Sequence, residues 1–142
     1  MKILNPVKNF KDFLLFIWQL PQNLIGIAVI QLTKAWYSVA WKDCYFTDKY
    51  DIGVSLGDFI IVSKNDYNNT VVLWHERGHQ KQSQKYGWFY LLIVGLPSIT
   101  RNIWDRIAHK KWSHWKREKW YYSHFPEKQA DELGGVKRFG GK

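Results

Sequence analysis

The chain has 142 residues, which suffices for one domain with a hydrophobic core but not for two independent domains. Hydrophobic residues make up 46% and charged residues 23%, which excludes a disordered composition. A net charge of +9 favours an anionic partner, and the single cysteine, Cys44, excludes an intrachain disulfide. Nine tryptophans indicate boundaries between water and an apolar phase, as at a partner or membrane interface.

Residues 1–36 form an apolar zone that we predict to be helical. Within it, the run Phe13–Leu32 reaches the minimum length for crossing about 30 Å of hydrocarbon. Pro21 interrupts the run and several amide side chains lie inside it, so we expect two helices broken at Pro21. These helices either enter a membrane as a shallow hairpin or pack as a soluble hairpin against the core.

Residues 37–68 are predicted to form strands and turns, and residues 69–86 a helix. Two runs rich in β-branched and aromatic residues, 41–46 and 54–63, predict the strands. Asn69 or Thr70 can cap the helix, and Gly87 can end it in a conformation with positive φ.

Residues 88–142 are predicted to be mostly helical. The apolar run Trp88–Ile99 is too short to cross a bilayer as a helix. We interpret it as a buried core helix, and the alternative is a re-entrant or interfacial element that pairs with the N-terminal zone.

Residues 75–79, HERGH, carry the clearest chemical signal. His75 and His79 are four apart and lie on one helix face, where two neutral imidazoles can bind one Zn²⁺ and leave room for a third ligand and a water. Glu76 can accept a proton from that water, whose pKa the metal lowers toward about 7. Gly78 costs helix stability, which suggests that another part of the chain approaches closely there.

The third ligand is expected in the segment 123–136. Pro126 fits a first helical turn and Gly134 with Gly135 ends the helix, which places Glu127 and Asp131 on one face. Glu127 can complete a His₂Glu site, and Asp131 can accept the free N–H of a ligand histidine. The alternative for Glu127 is a solvated glutamate at a helix start.

The pattern His75-Glu76-x-x-His79 followed by Glu127-x-x-Ala130-Asp131 resembles the gluzincin zinc metallopeptidases. It is similar to their membrane-associated branch, which includes the CAAX prenyl endopeptidase and HtpX-type heat-shock peptidases, and the whole chain resembles small bacterial proteins with the same motifs. The resemblance implies zinc ligation by His75, His79 and Glu127, Glu76 as general base, and Asp131 as the residue that orients a ligand.

The resemblance also implies that the run 54–63 is an edge strand along which an extended peptide substrate binds by β-addition. The substrate-binding candidates are Gly57, Asp58, Phe59 and Ile60. For stabilising the oxyanion, the candidates near Glu127 are His124, Tyr122 and Tyr121.

Residues 104–122 form a stretch in which tryptophans alternate with lysines and arginines. Its spacing favours an amphipathic helix, and three interpretations remain open. The tryptophans can anchor the helix in the core, they can bind an anionic membrane surface, or they can stack on nucleic-acid bases.

Together, these patterns predict one α+β domain, mostly helical, with a small antiparallel sheet preceding the HExxH helix. Residues 1–36 are the apolar helical zone and residues 37–142 the catalytic-type core. The predicted function is zinc-dependent hydrolysis of peptide or protein substrates, and the alternative is a non-catalytic zinc-containing module that binds a membrane or nucleic acid.

Lysines flank both ends of the apolar zone. Lys2, Lys8 and Lys11 precede it, and Lys34 and Lys42 follow it. A hairpin keeps both flanks on the positive side of a membrane. We therefore expect the cytoplasmic face of an anionic membrane, peripheral or shallowly inserted, with a soluble cytoplasmic protein as the alternative.

Overall fold

The computed structural model describes residues 5–139 and has six α-helices around a four-stranded mixed sheet. The helices are α1 (Phe10–Trp18), α2 (Leu20–Thr33), α3 (Thr70–Tyr86), α4 (Leu96–Ala108), α5 (His114–Tyr122) and α6 (Glu127–Gly134). The strands are β1 (Trp36–Tyr37), β2 (Cys44–Thr47), β3 (Gly53–Leu56) and β4 (Phe59–Ser63). The predicted α+β class, mostly helical with a small sheet before the HExxH helix, is confirmed.

The sheet has the strand order β1-β2-β4-β3. The prediction of an antiparallel sheet is wrong for one of its three strand pairs. Strands β2 and β4 run parallel, while β1–β2 and β3–β4 are antiparallel. The predicted strand 54–63 is a hairpin, because the chain turns at Gly57, with φ of 65°, and Asp58. Strand β4 then inserts beside β2, and its uninterrupted apolar run suits a central strand with both faces covered.

Hydrophobic residues on the two faces of the sheet form two clusters. Phe59 and Ile61 face one cluster, which Ile30 of α2 joins. Ile60 and Val62 face the other, which Leu73 of α3 joins. Helix α2 therefore covers one face and α3 the opposite face, where α6 packs against α3.

The N-terminal zone forms two helices, but they do not form a hairpin. The break lies at Gln19 rather than at Pro21, which occupies the first turn of α2, where proline is favoured. The two helices meet at 88°, and their buried amides bind the core. Among residues 5–139 no single helix is long and apolar enough to cross a membrane, although α1 and α2 together pass that test of length and composition.

Helix α3 has the predicted ends. The Asn69 side chain accepts a hydrogen bond from the Val72 N–H, and Gly87 follows the last residue with φ of 53°. This cap fixes the helix on which the HERGH residues lie.

The two C-terminal predictions of helical structure need correction. The run Trp88–Ile99 is not a buried core helix. It contains a π-helical turn, Leu91–Gly95, and it is only partly buried: Tyr90 and Val94 are buried, whereas Trp88 and Phe89 are exposed. The stretch 104–122 is two helices, because α4 ends at Ala108 and α5 begins at His114.

Candidate metal centre

Three side-chain atoms from α3 and α6 converge at one point. His75 Nε2 lies 3.0 Å and His79 Nε2 lies 3.1 Å from Glu127 Oε2, and the two imidazole nitrogens are 3.1 Å apart. All three residues are buried. The structure thus brings together the three ligands predicted from the sequence, although 48 residues separate His79 from Glu127.

Two glycines allow α3 and α6 to approach at backbone contact. A Cβ on Gly78 of α3 would lie 1.8 Å from the carbonyl oxygen of Ala130 in α6. In the reverse direction, a Cβ on Gly134 would lie 2.1 Å from the carbonyl oxygen of Trp74. The close approach inferred from Gly78 is confirmed, and it sets the distance between the two helices that carry the ligands.

The proton on His75 is located by Asp131. His75 Nδ1 lies 2.7 Å from Asp131 Oδ1, and a carboxylate can only accept a hydrogen bond. Arg138 holds that carboxylate from the other side, with Nε donating to Asp131 Oδ2 at 2.7 Å. Nδ1 therefore carries a proton, and Nε2 is the ring nitrogen that faces the cluster.

The proton on His79 is located by Gln82. The Gln82 amide nitrogen donates to the Pro126 carbonyl oxygen at 2.9 Å, which fixes the orientation of the amide. Its oxygen then faces His79 Nδ1 at 2.7 Å and accepts from it. As with His75, Nε2 is the ring nitrogen that faces Glu127 Oε2.

The other carboxylate oxygen of Glu127 is occupied. Tyr121 donates its hydroxyl to Glu127 Oε1 at 3.0 Å, and Ser98 Oγ donates to the same oxygen. Oε2 is left to face the histidines, as expected for a carboxylate that binds a metal through one oxygen.

Three acceptor atoms at hydrogen-bond distance repel one another unless a cation lies among them. Burial lowers the pKa of His75, but hydrogen bonds to Asp131 and Glu127 outweigh it and raise the pKa to about 9. Burial opposes ionisation of Glu127, yet the same histidines hold its pKa well below the usual range. The cluster therefore attracts one positive charge, a proton or a metal ion, and His75, His79 and Glu127 together can hold a metal ion.

Glu76 lies beside the cluster and is not one of the converging ligands. Its side chain is buried, and Oε2 has no hydrogen-bond partner among the described residues. Burial raises its pKa, although the nearby histidines oppose the shift. Its other oxygen approaches β3, since a Cβ on Gly53 would lie 2.9 Å from Glu76 Oε1.

A groove of about 380 Å³ runs past the cluster. Its walls include strand β3, His75, Glu76, Tyr90, Val94, Ser98, Ile99, Tyr122 and Arg138. Strand β3 forms the edge of the sheet next to the groove.

The predicted substrate-binding residues Gly57, Asp58, Phe59 and Ile60 do not form this wall. The first two form the hairpin turn, where Asp58 binds Gln19 and Asn23, and the last two are buried in the central strand β4. That prediction is wrong because the run 54–63 folds into two strands, and the edge strand that lines the groove is Gly53–Leu56.

The three candidates for an oxyanion-stabilising group have different positions. Tyr122 lines the groove with its ring 5.3 Å from that of His75, and burial raises its pKa to about 12. Tyr121 is engaged with Glu127. His124 is exposed, with Nδ1 2.6 Å from the Trp120 carbonyl oxygen, and is not among the groove residues.

Three residues of the site were missed at the sequence level: Ser98, Gln82 and Arg138. The Arg138 guanidinium lies 3.6 Å from the centre of the Tyr122 ring and lines the groove. Gln82 follows His79 by three residues, a spacing that could have indicated a contact on the same helix face. Ser98 and Arg138 reach the site only through tertiary packing.

Compared with protein-family models, with curated proteins and with solved structures, the chain has no match. The interpretation of the metal centre therefore depends on its own geometry.

Proposed function

We propose that the chain is a gluzincin-like zinc metallopeptidase that hydrolyses peptide bonds, with Glu76 as general base. The observation that carries the proposal is the position of Glu76. A buried carboxylate with a free oxygen lies next to three converging acceptor atoms and borders an open groove.

The donor set suits zinc. Four-coordinate zinc with nitrogen and oxygen ligands at about 2.0–2.2 Å has neighbouring ligand atoms about 3.3–3.5 Å apart in tetrahedral geometry. The three acceptor atoms are 3.0–3.1 Å apart, so a shift of a few tenths of an ångström accommodates the ion. Three protein ligands beside a groove are typical of a catalytic site, because structural zinc sites are usually closed by four.

A zinc ion held by His75, His79 and Glu127 would lower the pKa of a bound water and polarise the substrate carbonyl. Glu76 accepts the proton from the attacking water and then delivers it to the leaving amine. Its raised pKa makes the carboxylate a stronger base, which favours the first of these two proton transfers. Asp131 keeps the proton of His75 on Nδ1 throughout.

The substrate chain is proposed to bind in an extended form along β3. In the β3–β4 register, Gly53 pairs with Val62 and Ser55 with Ile60, while Ser63 N–H donates to the Ile52 carbonyl. This alternation directs the backbone groups of Gly53 and Ser55 away from β4, toward the groove. Tyr90 already donates to the Ser55 carbonyl oxygen at 3.0 Å, so Gly53 offers the free peptide group nearest Glu76.

Tyr122 is the proposed donor to the oxyanion. A phenol whose pKa is raised to about 12 remains protonated at neutral pH and can donate a hydrogen bond. Arg138 stacked on its ring adds positive potential to the same wall. His124 is no longer proposed for this role, because its ring is turned to the Trp120 carbonyl.

The test compares metal content and hydrolysis of a peptide library for the wild type, Glu76→Gln and Glu127→Gln. We expect about one zinc per chain in the wild type and Glu76→Gln, and loss of zinc in Glu127→Gln. Removing a general base should slow hydrolysis roughly 10²- to 10⁴-fold. Glu132→Gln is the matched control, because Glu132 lies on α6 but is exposed to solvent.

Two outcomes would count against the proposal. If Glu76→Gln loses zinc as readily as Glu127→Gln, Glu76 has a structural role. If zinc is bound stoichiometrically but neither protein cleaves any peptide, the non-catalytic zinc module becomes the better interpretation.

A further inference from the structure

The N-terminal half of helix α2 buries amide side chains and exposes aliphatic ones, while Ile30 farther along the helix joins the core. Gln22 and Asn23 are fully buried, and Gln22 donates to Ser83 Oγ at 3.0 Å and to the Gly87 carbonyl oxygen at 2.8 Å. On the outer face of the same helix, Leu24 is 57% exposed and Leu32 is 71% exposed. A helix that faces water has the opposite arrangement.

Helix α4 repeats this inversion. Its inner face carries Ser98, which donates to Glu127, and buried Asp105, which Arg117 holds at 2.7 Å. Its outer face is an aliphatic stripe in which Ile103 is 52% and Ile107 is 67% exposed. Both helices therefore present to the outside what soluble helices bury.

Two tryptophans join α1 to the end of α3 and to the segment 88–95, which leads directly into α4. Trp88 donates its indole N–H to the Ile17 carbonyl oxygen at 2.8 Å, and Trp18 donates to that of Gln84 at 3.0 Å. The Trp18 ring also packs against Gly87, where a Cβ would lie 2.1 Å from it. We call the exposed apolar residues of α1, α2, the segment 88–95 and α4 the apolar surface, and its members are Phe10, Phe13, Leu14, Ile17, Trp18, Leu24, Ile25, Leu32, Trp88, Phe89, Leu92, Ile93, Leu96, Ile99, Ile103, Trp104 and Ile107.

Basic side chains border the apolar surface. Lys8 precedes α1, Lys11 lies on α1 between Phe10 and Phe13, and Lys110 and Lys111 follow α4 after His109. On α5, exposed Trp115 lies under the ammonium group of Lys119, with 4.9 Å between Nζ and the ring centre. At a bilayer interface, aliphatic side chains enter the hydrocarbon, whereas tryptophan and lysine side chains lie at the level of the anionic headgroups. The apolar surface and its basic neighbours have this arrangement.

We propose that the apolar surface docks on an anionic phospholipid bilayer and inserts its aliphatic side chains to the depth of the acyl-chain boundary. Typical soluble monomers expose single apolar patches of about 300–600 Å². The apolar surface combines α1, α2, α4 and the segment 88–95, and polar side chains such as Gln22, Asn23 and Asp105 are buried behind part of it. An exposed apolar surface of this extent favours an apolar phase on its outer side. The basic border selects anionic lipid over a neutral one and over a second copy of this equally positive chain.

Docking in this orientation brings the metal centre to the membrane surface. Ser98, which binds Glu127, lies on the inner face of the same helix whose outer face carries Ile103. The lipid contact goes beyond the peptidase proposal and can be tested without any hydrolysis assay.

The test is flotation of the metal-loaded protein with vesicles of phosphatidylcholine alone and of phosphatidylcholine mixed with phosphatidylglycerol. We expect the wild type to float with the mixed vesicles and more weakly with the neutral ones. The double variant Ile103→Asp, Ile107→Asp should lose about 10- to 100-fold in partitioning for each buried side chain removed. Val39→Asp is the matched control, because Val39 is 93% exposed, lies between β1 and β2 and is not a member of the apolar surface.

A second variant, Lys110→Glu with Lys111→Glu, tests the basic border without removing apolar area. It should abolish the preference for mixed vesicles while leaving the weaker binding to neutral ones. A wild type that remains monomeric and free of lipid without detergent would overturn the proposal. So would a wild-type dimer that Ile103→Asp, Ile107→Asp dissociates, because the surface would then be an interface between copies.

Discussion

Replacing Gly78 with alanine tests whether backbone contact between α3 and α6 controls the metal centre. At an exposed helical site this substitution stabilises a protein by up to about 1 kcal/mol, because alanine favours helices more than glycine does. Here the new Cβ would lie 1.8 Å from the Ala130 carbonyl oxygen and 2.5 Å from its carbon. The helix propensity and the steric contact therefore predict opposite signs.

The magnitude follows from the distance that must be regained. An ordinary van der Waals contact begins at 3.4 Å, so α6 has to move by about 1.6 Å, the difference from 1.8 Å. The obstructing atoms are backbone, and no rotamer change can relieve the clash. Overpacking of this kind costs about 1–3 kcal/mol, and the free energy of unfolding should fall by that amount. Because Glu127 is on the displaced helix, and metal–ligand distances tolerate only about 0.2 Å, metal affinity should fall as well.

The measurement is urea unfolding with and without chelator, together with zinc titration. Gly95→Ala is the matched control: Gly95 is also helical and lines the same groove, but its Cβ would have no neighbour closer than 3.7 Å. We expect Gly95→Ala to be neutral or stabilising. The reasoning is refuted if Gly78→Ala is as stable as Gly95→Ala and binds zinc like the wild type.

Three further predictions concern the polar network. His75→Ala should lose zinc, and its midpoint of thermal unfolding should no longer respond to chelator, whereas that of the wild type should fall. Asp131→Asn should weaken zinc binding by about 10- to 100-fold, and unchanged affinity would exclude Asp131 from orienting His75. Burial opposes ionisation of Asp105, but Arg117 and His109 outweigh this effect and lower the pKa of the carboxyl group. The ionised Asp105 therefore stabilises the fold above the ordinary aspartate pKa, and this stabilisation is lost as the pH falls toward the lowered pKa. Asp105→Asn should therefore flatten the acid limb of a plot of stability against pH, and an unchanged limb would contradict this.

The convergence of His75, His79 and Glu127 could be predicted from the sequence because its geometry is mostly local. The i,i+4 spacing of His75 and His79 places both imidazoles on one side of α3 whatever surrounds them. The same spacing relates Glu127 to Asp131 on α6, and Asn69 and Gly87 marked the ends of α3 by their own backbone preferences. Only the packing of α3 against α6 depends on residues far apart in the sequence, and Gly78 indicated a close approach at this point.

The substrate wall and the apolar surface could not be predicted in the same way. Gly57 and Asp58 divide one apolar run into two strands, and the turn is secured by an N–H of Asp58 that donates to Asn23, which lies 35 residues earlier. For the run Trp88–Ile99, hydrophobicity predicted a helix buried in the protein core. A hydrophobic pattern shows that residues avoid water, but it does not distinguish burial in the core from exposure on an apolar surface. Arg138 reaches the site through its contacts with Asp131 and Tyr122, for which no local spacing provides a signal.

The packing of α6 indicates that the site is organised by protein contacts rather than by the metal alone. Besides the glycine contacts, Lys81 donates to the Leu133 carbonyl oxygen at 2.7 Å and Gln82 to that of Pro126 at 2.9 Å. These bonds join α3 to both ends of α6, so the position of Glu127 is fixed before an ion arrives. Because the three converging atoms repel one another without a cation among them, this preformed cluster favours the binding of one positive charge.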